Sequence, residues 1–491
     1  MITIRCGDKC AYAQNTATLL DAILAAGVPF DAPCGGTGRC GKCLVRLVSG
    51  RFVPAGENGG AGAVTEDGLS IAPGVEAIYR DGMPYARACR TAAVGDAVIA
   101  LPAGAIETDG GMPDEPAAGR EPTGPDGVLA VDLGTTTIEA QALTGDGAVC
   151  GTFTVRNPLA SYGADVMSRI TGAARGDFAR MHRLTLSAVV RLARTAGAAQ
   201  VMAVGNTVSL HFLCGADPTP MGQAPFAPAF TAAQAFVSDG LSIRTLPCLS
   251  AFVGADALAG AAYCRLADGD MLVDLGTNCE IVLRAGDRYY AGSAPAGPAL
   301  EGAGIECGSA GIAGAVNAVR YDRGLQVSVI GGGPAVSLCG SGLIDAVAYM
   351  RAAGLADETG RMDDALDGTF RLCGKVYVTQ KDVRAFQLAK AAVRAAVGLV
   401  CRRAGIMLPR RILLAGNMGL RVNTASAVAV GLLPDVPVEC VGNAALDGCV
   451  RAVRDEAFRA ETERLTGQCV SVGTDAAFDR ALVACTALKP M

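Results

Sequence analysis

Val131-Asp132-Leu133-Gly134-Thr135 occurs a second time, unchanged, as Val273-Asp274-Leu275-Gly276-Thr277. Each copy closes an apolar run suited to a buried strand and leads into another β-prone run, Ile138 onward and Ile281-Val282-Leu283. Strand–turn–strand units repeated in this way predict two duplicated lobes facing one another across a cleft, with Ala-rich helices layered on the strands in an α/β arrangement. The turns carry chemistry as well as shape. Asp132 is followed by Gly134, Thr135, Thr136 and Thr137; Asp274 is followed by Gly276, Thr277 and Asn278. Turn N–H groups and hydroxyls can hold phosphate oxygens, while a strand-end carboxylate holds hydrated Mg²⁺.

A third glycine turn, Gly416-Asn417-Met418-Gly419, follows the apolar run Ile412 to Ala415. Glycine there lets backbone approach an adenosine without side-chain obstruction. The segment Ala296-Gly297-Pro298 to Gly302 is expected to add a helix N-terminus to the same site. No G-x-x-x-x-G-K-[ST] sequence occurs, which disfavours a P-loop nucleotide site. Any one of these turns, alone, also reads as an ordinary tight turn in a chain with 64 glycines. Together they predict ATP binding.

Cys34, Cys40 and Cys43 form a C-x5-C-x2-C run, and Cys89 follows further on. Four thiolates with one close-set group match the needs of a [2Fe–2S] cluster, and plant-type ferredoxins use a related spacing. Gly35, Gly36, Gly38 and Gly41 let the loop wrap closely and leave backbone N–H groups free to face the sulfurs. A structural zinc is the competing reading, but zinc ribbons usually offer two C-x2-C knuckles and only one is present. Most of the other fifteen of the 19 cysteines read as small apolar core residues.

The 42 basic and 47 acidic residues give a net charge of −5, which offers no basic footprint for nucleic acid. With no Trp and only His182 and His211, imidazole-based metal sites and triads lack material. His211 reads as a structural residue. Met1–Cys6 lacks a basic stretch leading into an apolar run, and no stretch is apolar enough to span a bilayer, so the expectation is a cytoplasmic protein with no membrane partner. Ala103–Asp126 holds four prolines, five glycines and six acidic residues. Such a stretch cannot offset its ordering entropy by burial. The domain expectation is therefore a ferredoxin-like domain over 1–102, a flexible linker over 103–127 and an ATPase domain over 128–491. Within the first domain, strands are expected over Met1–Cys6 and Leu44–Val48, the second stopping at Ser49-Gly50. A helix is expected over Thr16–Ala26, capped by Thr16 and ended by Gly27.

The three glycine turns resemble the phosphate-1, phosphate-2 and adenosine segments of the acetate and sugar kinase/Hsp70/actin superfamily. That resemblance implies a two-lobed, actin-like (ribonuclease H-like) domain in which Asp132 and Asp274 handle the metal and the attacking water. The whole chain resembles the reductive activators of corrinoid-dependent enzymes, a β-grasp [2Fe–2S] ferredoxin fused to such an ATPase. Further segments carry this likeness: Asn157-Pro158, Gly163-Ala164-Asp165-Val166-Met167-Ser168-Arg169, Gly205-Asn206-Thr207, Cys339 to Asp345, Gln380-Lys381-Asp382, Leu388-Ala389-Lys390 and Val441-Gly442-Asn443. It implies nucleotide contacts at Gly205 and Asn206 too. It also implies an ATP-dependent electron transfer that returns a Co(II) corrinoid protein of a methyltransferase system to Co(I), fed by a low-potential donor, and dimers as a common state. Longer members carry a small extra domain before the ATPase, which this chain lacks. An activator of another low-potential enzyme, such as a 2-hydroxyacyl-CoA dehydratase, and a non-catalytic redox and ATP sensor are the alternatives; a small-molecule kinase has no use for a ferredoxin.

Overall fold

The computed structural model describes the chain apart from residues 1, 7–8, 14–16, 27, 29, 31, 33, 39–40, 58–63, 65–67, 102–125, 322–323, 474–475 and 491. The linker expected over 103–127 falls almost wholly outside the described residues, as do Thr16, Gly27 and Cys40. The chain divides into two compact units. One comprises 1–117, 135–137 and 155–188; the other comprises 118–134, 138–154 and 189–491.

The first unit is built on a mixed sheet. Ile2–Cys6 pairs antiparallel with Lys9–Ala13 and parallel with Ala97–Ala100, which in turn runs antiparallel to Leu44–Pro54. The helix Leu19–Ala25 buries Leu19, Leu20, Ala22 and Ile23 in the same core as Ile4, Val45, Leu47, Phe52 and Ile99. Its start differs from expectation. Thr18 is the cap, its Oγ1 accepting from Asp21 N–H at 3.0 Å while the Asp21 carboxylate accepts from Thr18 N–H at 3.1 Å. This reciprocal box satisfies backbone donors that a Thr16 start would leave open. The strand from Leu44 also runs on through Ser49-Gly50 to Pro54. A bulge between Leu47 and Ser49 absorbs the irregularity, and Gly50 takes φ +106°. A side chain at Gly50 would strike Ala97, so the glycine permits close strand approach rather than ending the strand.

The second unit carries the duplication. In one sheet Val128–Leu133 pairs antiparallel with Thr137–Leu143 and parallel with Gln200–Gly205; in the other, Asp270–Leu275 pairs antiparallel with Cys279–Ala285 and parallel with Arg411–Ala415. Each sheet has six strands, and its repeated Asp lies on a central one. Central strands flanked on both edges and covered on both faces explain why these runs are nearly all apolar. The helices Ala255–Cys264 and Ala444–Arg454 pack on one another. Gly448 sits against the backbone of Ala259: a Cβ there would lie 2.5 Å from the Ala259 carbonyl oxygen.

Candidate functional site

The described thiols of the cysteine set converge. Cys43 is 1 % exposed and its Sγ lies 3.3 Å from Cys89 Sγ. Cys89 is held in the short 3-10 turn Ala88–Arg90, where Ala88 N–H donates to the Cys43 carbonyl at 2.7 Å. The Cys89 hydrogen bond lowers the Cys43 thiol to about 7, against burial and a nearby Cys34 that raise it. A thiol held near neutrality is a better metal ligand than an ordinary one. Gly35, Gly36, Gly38 and Gly41 all take positive φ, between +58° and +81°, so the loop bends in a way that a Cβ would oppose. Soft sulfur donors on a glycine-bent loop fit an iron–sulfur group; Cys40 lies outside the described residues. By contrast the buried Cys248 and Cys449 thiols are pushed up by desolvation, Cys248 to about 12. They read as core.

The acidic site assembles at the ends of the duplicated strands. Asp132 lies opposite Glu139 across its hairpin, and Asp274 lies opposite Glu280 across the other. Like charges placed directly opposite one another are unfavourable unless something intervenes. At the first pair it is Asn443, whose Nδ2 donates to Asp132 Oδ2 at 3.0 Å and to Glu139 Oε2 at 2.8 Å. Its Oδ1 accepts from Leu446 N–H at 2.9 Å and so caps the helix Ala444–Arg454. Asp256, in the first turn of the helix Ala255–Cys264, adds a further carboxylate.

Desolvation, then the charge of Asp256, raises Asp132 and Glu280 well above the carboxylate range. The same causes bring Asp274 to about 7, and desolvation brings Asp256 to about 6. Clustered carboxylates of this kind hold protons or a hard cation. Oxygen donors suit Mg²⁺, although no group of three or more His, Cys, Asp or Glu side chains is preformed as a metal cage among the described residues. A metal shared with phosphate oxygens and water needs no such cage.

The other predicted residues divide between contact and support. Gly416 takes φ +84°, and a Cβ there would collide with Asp274 Oδ1. Gly419 lies against the Leu414 backbone, and nothing is described of the Asn417 side chain. Gly205 at φ +156° allows close passage by Leu133. Asn206 caps the helix Thr207–Cys214, accepting from Ser209 N–H at 2.8 Å. The segment after Gly297 is a four-residue 3-10 turn, Pro298–Glu301, rather than a helix. It brings Glu301 back to Thr277, whose N–H and Oγ1 donate to Glu301 Oε1 at 2.6 and 2.8 Å, while Gly297 N–H donates to the Thr277 carbonyl at 2.9 Å. Gly276 and Asn278 complete that bend. Gly134 ends the first strand, and the Thr135 and Thr136 carbonyls accept from the Arg169 guanidinium and from Asn157 N–H.

His211 is fully buried. Its Nδ1 lies 2.8 Å from the Thr207 carbonyl, and Ala229 N–H donates to Nε2 at 3.0 Å, so it is structural. Cavities of about 340 and 720 Å³ lie elsewhere, and neither is lined by the acidic cluster. Glu139, Glu280 and Asp256 escape motif reading, and Asn443 is read only as part of the Val441-Gly442-Asn443 motif, without its role at Asp132. For the two Glu residues a signal exists: the repeat extends to an acid seven residues after Asp132 and six after Asp274.

The raised carboxylates set a pH dependence. A carboxylic acid whose folded value exceeds its ordinary 3.8 binds its proton more tightly in the folded state, so its contribution to stability declines as pH rises from about 4 to about 7. A cation bound at Asp132 would have to displace the proton that desolvation favours there. The apparent affinity of such a cation should therefore fall about tenfold for each unit of pH below that raised value, per proton displaced. The Mg²⁺-induced rise in thermal midpoint should be large at pH 8 and small at pH 6; equal shifts would contradict this reading.

Three family models match successive parts of the chain. The family model described as 2Fe-2S iron-sulfur cluster binding domain matches residues 4–93. The RACo middle region matches 127–269, and the C-terminal domain of RACo, the ASKHA domain, matches 268–490. The chain is 31% identical to the corrinoid activation enzyme RamQ of Eubacterium limosum, over 65% of this chain and 63% of that protein. It is 28% identical to a [Co(II) methylated amine-specific corrinoid protein] reductase of Methanosarcina barkeri, over 45% of this chain and 46% of that one. The chain thus spans less than two thirds of the curated relatives it matches. A solved reductive activator for corrinoid, iron-sulfur protein shares the fold, with a TM-score of 0.67 at 22% identity over 99% of this chain and 98% of that one. The fold class is thus a ferredoxin unit joined to an ASKHA unit, carrying an iron–sulfur domain and an ATP-binding domain. No helix among the described residues is long and apolar enough to cross a membrane.

Proposed function

The chain belongs to the RACo family, and from that membership we propose that it is an ATP-dependent reductive activator of a corrinoid protein. Its one-electron carrier is a [2Fe–2S] cluster bound by Cys34, Cys40, Cys43 and Cys89. Its substrate is the Co(II) corrinoid of a methyltransferase-system partner, restored to Co(I). The observation that carries the reading is the coexistence, in one chain, of the convergent thiols and the duplicated Asp turns. Neither a ferredoxin nor a kinase needs both.

Bound at its four thiolates, a plant-type cluster supplies an electron near about −400 mV. The cobalt couple of such partners lies lower, and about 100 mV of mismatch costs ~2.3 kcal/mol per electron. A protein that binds one partner state preferentially can bridge that gap through its differential affinity. Nucleotide turnover resets the cycle. Asp132 would hold Mg²⁺, the Gly134–Thr137 and Gly276–Asn278 turns would hold the phosphates and Gly416–Gly419 would lie beside the adenosine, which leaves Asp274 for the attacking water. Asp274 at about 7 is poised to accept a proton from the attacking water near neutrality. Asn443 keeps Asp132 and Glu139 together, so Asp132 would meet a metal in a fixed orientation. The described cysteines form no disulfide, which suits a reducing compartment, the cytoplasm. The domain limits 1–102 and 128–491 remain part of this proposal.

Mixing the reduced holoprotein with a Co(II) corrinoid protein and Mg-ATP should generate the Co(I) absorption band. No conversion across the corrinoid proteins encoded beside it would defeat the assignment. Nucleotide binding without partner-stimulated hydrolysis would point instead to a sensor.

A further inference from the structure

Among the motifs without a role in this chemistry is the segment around Gly163-Ala164-Asp165 to Arg169. Arg169 is 1 % exposed, yet it is a cation. Burying a guanidinium is costly unless its donors are matched. Its Nε donates to the Gly163 carbonyl at 3.2 Å, and its Nη2 donates to the carbonyl of Thr135, within the proposed phosphate turn. Asn157 N–H donates to the next carbonyl, Thr136, at 2.9 Å. Two successive carbonyls of the turn are therefore tied to one segment.

That segment is itself stiff. Asp165 caps the helix Val166–Gly172, accepting from Ser168 N–H at 2.8 Å and from Ser168 Oγ at 2.7 Å. Its other face meets the cysteine loop. Phe30 N–H donates to Ser161 Oγ at 3.1 Å, with both residues buried. A Cβ on Gly35, next to Cys34, would lie 2.8 Å from the Tyr162 carbonyl oxygen and 3.1 Å from Ser168 Cβ. The cysteine loop thus rests directly on the backbone that Arg169 braces. All of these residues belong to the first compact unit.

We propose that residues 157–169 form a strut through which the Thr135–Thr137 turn and the cluster loop sense one another, with Arg169 as its positioning residue. This rests on the turn being the phosphate site. Coupling of this kind needs a contiguous packed path whose arrangement both sites bias. It is also reciprocal: a nucleotide that binds one redox state about tenfold more tightly shifts the cluster midpoint by about 59 mV.

The test is hydrogen exchange on the full-length holoprotein, with and without a non-hydrolysable ATP analogue and Mg²⁺, together with the cluster midpoint in both conditions. In the parent protein the nucleotide should slow exchange at the Thr135–Thr137 turn and at the Gly35 amide alike, each by about tenfold. Two variants interrupt the strut at opposite ends. Arg169→Lys replaces a planar fork with a point charge, and Ser161→Ala removes the acceptor of Phe30 N–H while leaving Arg169 in place. Each should keep protection at the turn and lose both the remote protection and the midpoint shift. If Arg169→Lys does not fold, Ser161→Ala decides. Remote protection that survives in the variants, or is missing from the parent, overturns the strut and leaves the functional reading standing. No protection at the turn itself overturns the phosphate-site reading and the strut with it.

Discussion

Asparagine in place of Asp274 should lower the rate of ATP hydrolysis by about 10²–10⁴-fold, the range typical of losing a positioned general base. The substitution is nearly isosteric, so the space that Gly416 leaves beside the side chain still accommodates it. What disappears is a carboxylate that desolvation and the neighbouring charge of Asp256 hold at about 7. An amide cannot take a proton from water at any pH. The variant should therefore also lose the acid limb of the pH–rate profile, while still binding Mg-ATP. Phosphate release under saturating nucleotide measures the effect. A rate within a few-fold of the parent would assign the water-activating role elsewhere in the cluster, with Asp256, whose charge acts on Asp274, the first alternative.

Serine at Cys43 should abolish the visible absorption and the electron paramagnetic resonance signal of the reduced protein, and with them corrinoid reduction. Cys43 is almost wholly buried, and its thiol is already depressed by the Cys89 contact. A hydroxyl there would neither ionise at neutral pH nor offer a soft donor. Nucleotide hydrolysis, whose carboxylates Asp132 and Asp274 lie in the other unit, should persist. Serine at Cys10, which is exposed and lies outside the ligand set, serves as the control and should change nothing. Retained iron in the Cys43 variant, with loss in the Cys10 variant, would redraw the ligand set.

Much of the fold is legible because it follows from local patterns. The strand ends at Asp132 and Asp274 follow from apolar runs broken by Gly134 and Gly276, and a repeated pentapeptide implies repeated topology. The misreadings are also physical. Gly50 looks like a stop, but a bulge carries the strand beyond it, a choice made by Ala97 across the sheet rather than by neighbours in sequence. Thr16 and Thr18 offer equal hydroxyls, and only the reciprocal bond with Asp21 selects the second. The segment after Gly297 resembles a helix start, yet a single 3-10 turn suffices to return Glu301 to Thr277. Asn443 is illegible as a partner of Asp132 because more than three hundred residues separate them, and only the folded unit joins the two. Arg169 stands inside a recognisable motif, but nothing in the motif reveals that its guanidinium is buried against two carbonyls.

Gly448 lets the helices Ala255–Cys264 and Ala444–Arg454 approach main chain to main chain. A single methyl there would have to prise the crossing open. Asn443 caps the helix that would be pushed away, so the amide joining Asp132 to Glu139 would be displaced with it.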